Sequence, residues 1–215
     1  NYREDYMIGI IDYGRGNLRS VEKALEKLGY QAKVLEKAEE LPLADGLILP
    51  GVGAFADAMK ALRERGWLEP LKDFARSGKP FLGICLGMQV LFEIGEEHGE
   101  HQGLGLLPGR VVKFPPGRKI PHMGWNILKQ VKPCPLFTGI PDEAFFYFVH
   151  SYHVSSEEEE ILVGLSDYGL IFPAVAGRDN VWGVQFHPEK SSPWGLKLLD
   201  NFGKWVREYA NISGH

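Results

Sequence analysis

The 215-residue sequence predicts a single α/β domain: a central, mostly parallel sheet flanked by helices, with additional antiparallel strands in the C-terminal half. Three observations carry this reading. Strand-like and helix-like apolar patterns alternate through the first half of the chain, and short strand patterns crowd the second. No fixed-period repeat or low-complexity linker divides the sequence, whose length suits one sizeable core and is short for two.

The elements follow in order. Met7–Asp12 is a continuous apolar run ending at an acid, as a strand buried on both faces would be. A Gly-rich turn over Tyr13–Asn17 leads into Leu18, Val21, Leu25 and Leu28 at helical spacing, with Gly29 as the stop. Gln31–Leu35 and Leu47–Leu49 are the next strands, the second cut by Pro50-Gly51. Helices are predicted over Ala54–Glu64 and Trp67–Ser77, a strand over Phe81–Ile84 and a helix over Leu86–Glu93. This βα alternation implies parallel strands joined by right-handed crossovers. The second half offers strands at Arg110–Phe114, Trp125–Val131, Ala144–Val149, Ile161–Ser166, Ala174–Gly177 and Val181–Phe186. Asp179-Asn180 makes a hairpin turn between the last two, and Trp194–Tyr209 closes the domain as a helix. The domain thus spans 7–209, with 1–6 and 210–215 read as flexible ends or expression remnants.

Composition narrows the function. A net charge of −4 argues against a nucleic-acid surface, and no apolar run reaches the roughly 18 residues of a membrane helix. With only Cys85 and Cys134 there is no disulfide framework, and a reduced, cytoplasmic protein is expected. Gly14-Arg15-Gly16 lacks the third glycine of a dinucleotide loop, since Arg19 stands there. His98 and His101 lie in a polar loop without further ligands, so neither a metal nor a cofactor is expected.

The chemistry concentrates in three stretches. Phe81-Leu82-Gly83-Ile84-Cys85-Leu86-Gly87 runs an apolar strand into Gly-x-Cys-x-Gly and then a helix, the layout of a nucleophile elbow. The small flanking glycines leave room for a sharp turn, and a helix start favours thiolate over thiol. Cys134, between Pro133 and Pro135, has no such context and reads as structural. A cysteine nucleophile needs a base and a group that orients it. His187 stands at the end of an apolar strand in Gln185-Phe186-His187-Pro188-Glu189, where Glu189 can turn back onto the ring. Leu49-Pro50-Gly51-Val52-Gly53 follows a buried strand and can present backbone N–H groups to a tetrahedral oxyanion, with the Leu86 amide as a second donor.

Pro-Gly-Val-Gly, Gly-Ile-Cys-Leu-Gly-Met-Gln and Gln-Phe-His-Pro-Glu, in this order, resemble the motifs of class I (triad-type) glutamine amidotransferases. The resemblance implies a flavodoxin-like sheet and hydrolysis of the L-glutamine side-chain amide through a cysteinyl thioester. Asp12-Tyr13-Gly14-Arg15-Gly16-Asn17, Pro121-His122-Met123-Gly124-Trp125-Asn126, Tyr147-Phe148-Val149-His150-Ser151-Tyr152 and Lys190-Ser191 narrow it further. These are similar to the glutaminase subunits of imidazole glycerol phosphate synthases, in histidine biosynthesis, over about Met7 to Tyr209. Arg15 and His153 stand where that pattern varies.

That resemblance assigns further roles. Gln89 and Glu97 would bind glutamine, Ser151 and Tyr152 would contact it through their backbone, and Gly51, Val52 and Gly53 would form the oxyanion strand. Met123, Trp125, Asn126, Tyr147 and Lys190 would lie at or near the face that meets a cyclase subunit. That partner would be a (β/α)8 barrel, joined as a heterodimer, which uses the ammonia to make imidazole glycerol phosphate and an aminoimidazole carboxamide ribotide. From the residues alone, Trp125 and Tyr147 fit ordinary core strand positions equally well. Three rivals share the motifs: the glutaminase subunit of another biosynthetic amidotransferase, a free-standing γ-glutamyl hydrolase or cysteine peptidase, and a non-enzymatic module with an inert pocket.

Overall fold

The computed structural model of the chain describes residues 5–213; residues 1–4 and 214–215, within the two ends set apart above, lie outside the described residues. The chain runs β1 (Ile8–Ile11), α1 (Leu18–Lys27), β2 (Ala32–Leu35), β3 (Gly46–Leu49), α2 (Phe55–Glu64), α3 (Leu68–Arg76), β4 (Phe81–Ile84) and α4 (Leu86–Gln89). It continues through β5 (Ile94–Gly95), β6 (His101–Gln102), β7 (Arg110–Lys113), β8 (His122–Gln130), β9 (Ala144–His150) and β10 (Tyr152–Ser155). The last elements are β11 (Leu162–Asp167), β12 (Ile171–Arg178), β13 (Val181–Val184) and α5 (Trp194–Ser213).

A nine-stranded sheet in the order β2-β1-β3-β4-β13-β12-β11-β8-β9 forms the middle layer. From β2 to β13 every pairing is parallel; from β13 onward every pairing is antiparallel. The sheet is therefore mixed: a parallel half with an antiparallel half of comparable width joined to its edge. Strand alternation splits the core in two. Ile8, Ile10, Leu82 and Ile84 face α1 and α5 through Val21, Leu25, Leu199 and Phe202. Ile11, Leu47, Leu49 and Phe81 face the opposite way, toward Ala58 and Leu62 of α2 and Leu71 and Phe74 of α3.

Two departures from the sequence reading bear on the site. The helix expected over Leu86–Glu93 stops at Gln89. The carbonyls of Val90, Leu91, Phe92 and Glu93 accept instead from the amides of residues 103–107, which cross behind them. Residues 86–92 are all buried, so the run shows no helical face to mark where the helix ends. The second departure is a small sheet ordered β10-β7-β5-β6. Both β5 and β6 are two residues long, too short to leave a period-2 signature. At the other end, α5 runs to Ser213, past Tyr209.

Strand β9 separates an inner from an outer face. Phe146 and Phe148 are fully buried, whereas Phe145 is 57% exposed on the other side. Phe148→Ala should cost about 3–5 kcal/mol in urea unfolding, and Phe145→Ser within about 0.5 kcal/mol. Equal losses at the two positions would contradict this sidedness.

Candidate active site

Strand β4 ends at Ile84, and Cys85 follows with φ 56° and ψ −113°, a backbone conformation rarely adopted by residues bearing a Cβ. Bonds on both sides hold the turn. The Cys85 N–H donates to the Val184 carbonyl of β13 at 2.8 Å, and its carbonyl accepts from Met88 and Gln89 at 3.0 and 3.2 Å. The flanking glycines are sterically required. A Cβ on Gly83 would lie 2.4 Å from the Gly87 carbonyl oxygen, and one on Gly87 only 1.8 Å from that of Leu49. The elbow expected from the sequence is thus formed. The helix that was to supply a dipole is a single turn, however, and carries little of one.

Side chains surround the sulfur instead. Cys85 Sγ lies 3.7 Å from the Val149 carbonyl of β9 and 3.7 Å from Gln185 Nε2. His187 follows β13, its N–H donating to the Tyr147 carbonyl at 3.0 Å. Its Nδ1 lies 2.7 Å from Glu189 Oε1, and the two side chains are each 2% exposed. Glu189 takes Nδ1, so His187 Nε2 is the nitrogen left for its interaction with Cys85. Burial alone would lower the His187 pKa, but hydrogen bonding and negative charge from Cys85 and Glu189 outweigh it and hold it at about 10. Near neutrality the ring therefore carries its proton. Cys134, in the core beside Leu136 and Phe137, is the contrast: burial pushes its thiol up to about 12.

The segment read as an oxyanion strand points a carbonyl, not an amide, at the nucleophile turn. Tyr13 donates its hydroxyl to the Pro50 carbonyl at 2.8 Å, and a Cβ on Gly51 would lie 2.3 Å from that hydroxyl oxygen. The Leu86 amide, expected as a free donor, donates to the Gly51 carbonyl at 3.2 Å. The peptide joining Gly51 to Val52 thus points its oxygen, not its N–H, at the start of α4. Rotating that one peptide would release the Leu86 N–H and turn the Val52 N–H inward. Val52 and Gly53 line the cleft beside Cys85.

That cleft has a volume of about 460 Å³ and gathers Gln89, Glu97, Ser151 and Tyr152 around Cys85, so every residue read as substrate-binding meets there. Glu97 accepts from the Phe55 N–H at the start of α2 at 3.3 Å. Gln89 donates through Nε2 to the Tyr152 carbonyl and to Gln185 Oε1, each at 3.1 Å. The backbone carbonyls read as substrate contacts are already engaged: that of Tyr152 also accepts from His150 Nδ1 at 2.9 Å, and that of Ser151 from Phe114.

The β8–β9 hairpin places Met123 opposite Val149, Trp125 opposite Tyr147 and Ile127 opposite Phe145. Met123 is 62% and Trp125 53% exposed, so these are surface residues, not core. Lys190 is exposed in the turn after His187. Asn126 is next along β8 after Trp125. Alternation along β8 turns it to the side opposite Trp125, where it donates to the Asp167 carbonyl at 2.9 Å and meets His122 Nε2 at 3.3 Å. Sequence reasoning missed Phe145, Gln185 and a buried histidine pair, His122 Nδ1 to His150 Nε2 at 2.9 Å. Burial lowers His122 to about 4 and, reinforced by its histidine neighbours, His150 to about 3; both are neutral. The i, i+2 spacing of Gln185 and His187 was the signal that could have found Gln185.

The family model for class-I glutamine amidotransferases matches residues 9–205. The chain belongs to the class-I glutamine amidotransferase family. This amidotransferase chain is 78% identical over 209 residues to an imidazole glycerol phosphate synthase subunit HisH of Desulfitobacterium hafniense, covering 97% of this chain and 99% of that one. It is 53% identical over 208 residues to the HisH subunit of Moorella thermoacetica, covering 97% and 99%. Among solved structures, a putative GMP synthase subunit from Thermoplasma acidophilum superposes with a TM-score of 0.75 at 21% identity, each chain wholly covered. PurLQS from Thermotoga maritima does so at 0.74 and 20%, covering 95% of this chain and 98% of that one. At such identities these two show that the amidotransferase fold is shared. No helix among the described residues is long and apolar enough to cross a membrane.

The raised His187 pKa has a thermodynamic consequence. The folded value near 10 exceeds the unfolded value of 6.5, so the bound proton stabilises the fold fully below 6.5, and that stabilisation is lost as pH rises toward 10. Glu189→Gln removes one of the groups holding the proton. Urea midpoints should therefore fall less steeply from about pH 6.5 to 10 in Glu189→Gln than in the unaltered protein. Parallel curves would show that Glu189 does not hold it.

Proposed function

We propose that this chain is the glutaminase subunit of an imidazole glycerol phosphate synthase. It hydrolyses L-glutamine to glutamate and ammonia, and delivers the ammonia to a cyclase subunit that makes imidazole glycerol phosphate and aminoimidazole carboxamide ribotide. The observation that carries the reading is the interaction of Cys85 with the His187–Glu189 pair (Nδ1 to Oε1 2.7 Å) where β4 and β13 end at one sheet edge. The likeness to subunits of that synthase over nearly the whole chain supports the choice of reaction.

The chemistry starts from the protonated imidazole. The Cys85 sulfur, as thiolate, attacks the glutamine side-chain carbonyl carbon, and the oxygen takes up the negative charge. His187 gives its proton to the amide nitrogen, and ammonia leaves as the thioester forms. The ring, now neutral, takes a proton from water while the resulting hydroxide attacks the thioester carbon. Collapse frees glutamate, returns the negative charge to sulfur and leaves His187 protonated. Glu189 holds the ring throughout and stabilises its charged form. Gln89 and Glu97 bind the amino-acid end of the substrate.

The reading includes a heterodimer with a (β/α)8 barrel, docked on Met123, Trp125 and Tyr147 of the outer β8–β9 face and on Lys190 in the turn after His187. The same geometry disfavours a free-standing γ-glutamyl hydrolase. An enzyme acting alone needs its oxyanion donors ready, yet here the Leu86 amide is occupied by the Gly51 carbonyl. We therefore expect slow glutamine turnover by the isolated chain and faster turnover with a cyclase partner and its ligand; full activity alone would favour the rival.

Two variants test the reading. Cys85→Ala should abolish glutamine hydrolysis, keep the fold and leave the assembled complex active with ammonium salts; residual glutamine turnover would sink the mechanism. Trp125→Ala should weaken association with the cyclase by about thirtyfold or more in titration calorimetry, as the loss of an aromatic anchor does. Unchanged affinity would move the interface elsewhere.

A further inference from the structure

Gln185 has no solvent exposure, and both ends of its carboxamide are used. Its Oε1 accepts from Gln89 Nε2 at 3.1 Å and its Nε2 stands 3.7 Å from Cys85 Sγ. The orientation is over-determined. Gln89 Nε2 has two hydrogens, one given to the Tyr152 carbonyl and the other to Gln185. Turning the Gln185 amide over would set NH2 against NH2 and leave its oxygen facing the sulfur.

We propose that Gln185 is a further member of the catalytic centre, an uncharged donor that holds the Cys85 sulfur as thiolate and fixes its direction, with its carboxamide locked by Gln89. The proposal rests on the glutaminase reading for the reaction it serves. Three observations carry it. The helix after Cys85 is a single turn whose first amide is taken by Gly51, so the usual backbone help for a thiolate is missing. Gln185 and His187 lie two residues apart in the bend that follows β13, anchored by the Gln185 N–H to Ala174 carbonyl bond of 2.8 Å, so one segment delivers both groups. Finally, a buried amide is destabilising unless its hydrogen bonds are made, and here the bonds made are to the nucleophile and to a cleft residue. A neutral donor also has a reason. A second cation beside His187 would drive off the imidazole proton that the reaction needs, whereas an amide steadies sulfur charge without touching that balance.

The thiol's own reactivity gives the test. Iodoacetamide alkylates thiolate, forming the S–C bond as iodide leaves, and peptide mass spectrometry separates Cys85 from Cys134. The titratable and charged groups around Cys85 are His187 with Glu189 behind it, Tyr13 with Arg15 beyond it, Glu97 and His150, all kept in every variant. In the full chain, Gln185→Met should slow Cys85 alkylation at neutral pH about tenfold and raise the midpoint of its pH profile by about one unit. Gln185→Glu, nearly identical in volume, should slow it further, because a carboxylate replaces the donor. Should Gln185→Met fail to fold, Gln89→Leu unlocks the carboxamide while leaving Gln185 in place, and should give an intermediate slowing. Profiles within twofold of the unaltered chain in folded Gln185→Glu, or Gln185→Glu reacting faster than Gln185→Met, would overturn the proposal. The two readings fail separately. Gln185-dependent alkylation in a chain that hydrolyses no glutamine with any cyclase sinks the function but not the donor; normal glutaminase activity with Gln185-independent alkylation does the reverse.

Discussion

One backbone hydrogen bond sets where the site can be: the Cys85 N–H to the Val184 carbonyl, at 2.8 Å. It lies just past the last register pair of the parallel strands β4 and β13, Ile84 opposite Val184. Because the two strands end level, the chain leaves both of them at the same sheet edge. The residue after β4 is the nucleophile, and the residues after β13 are Gln185, Phe186 and His187. Two segments a hundred residues apart are thereby brought within reach of one another by strand pairing alone. The left-handed backbone at Cys85 is tolerated only because this bond, the α4 turn and the two close-packed glycines restrain it from every side.

The electrostatics divide the histidines into two kinds. His187 sits against a carboxylate and a sulfur, and keeps its proton despite burial. His122 and His150 are buried without an acid, and lose theirs. Their tautomers follow from the bonds they make. His150 Nδ1 faces the Tyr152 carbonyl and so carries hydrogen, which leaves Nε2 bare to accept from His122 Nδ1. His122 Nε2 is then bare and faces Asn126 Nδ2. The one charged ring in the neighbourhood is thus the one at the nucleophile, and neutral neighbours do not compete with it for negative charge.

What the sequence revealed depended on how local each signal was. The elbow needs a strand, two glycines and a cysteine within seven residues, and His187 and Glu189 are separated only by a proline; both were legible, as was the βα alternation that makes the parallel half of the sheet. The helix after Cys85 was overdrawn because its termination is tertiary: carbonyls of residues 90–93 are claimed by residues 103–107. Gln185 was passed over because its partners, Gln89 and Cys85, lie about a hundred residues upstream, so its spacing to His187 gained meaning only once the fold had brought them together. Which side of β8 Asn126 takes was not legible, since a run of polar and aromatic residues there does not declare which face is wet. The Gly51 peptide could not be read at all, because its orientation is a single torsional choice that no side chain encodes.

Strand β9 ties these parts together. The carbonyls of Tyr147 and Val149 contact the His187 N–H and the Cys85 sulfur, while the side chains of the same two residues face outward beside Trp125 and Met123. In the proposed assembly, a partner seated on the outer face would touch side chains whose own backbone atoms hold the base and the nucleophile, one strand thickness away. A shift of β9 by a fraction of an ångström would be felt at the sulfur directly, without any longer relay. The Leu86–Gly51 bond is the counterpart across the cleft: a 3.2 Å backbone contact that holds the Gly51–Val52 peptide with its oxygen toward α4. A single hydrogen bond of this kind contributes about 1 kcal/mol, so breaking it lies within the binding energy that a partner or the substrate brings. A glutaminase built this way would consume little glutamine while no acceptor waits for its ammonia.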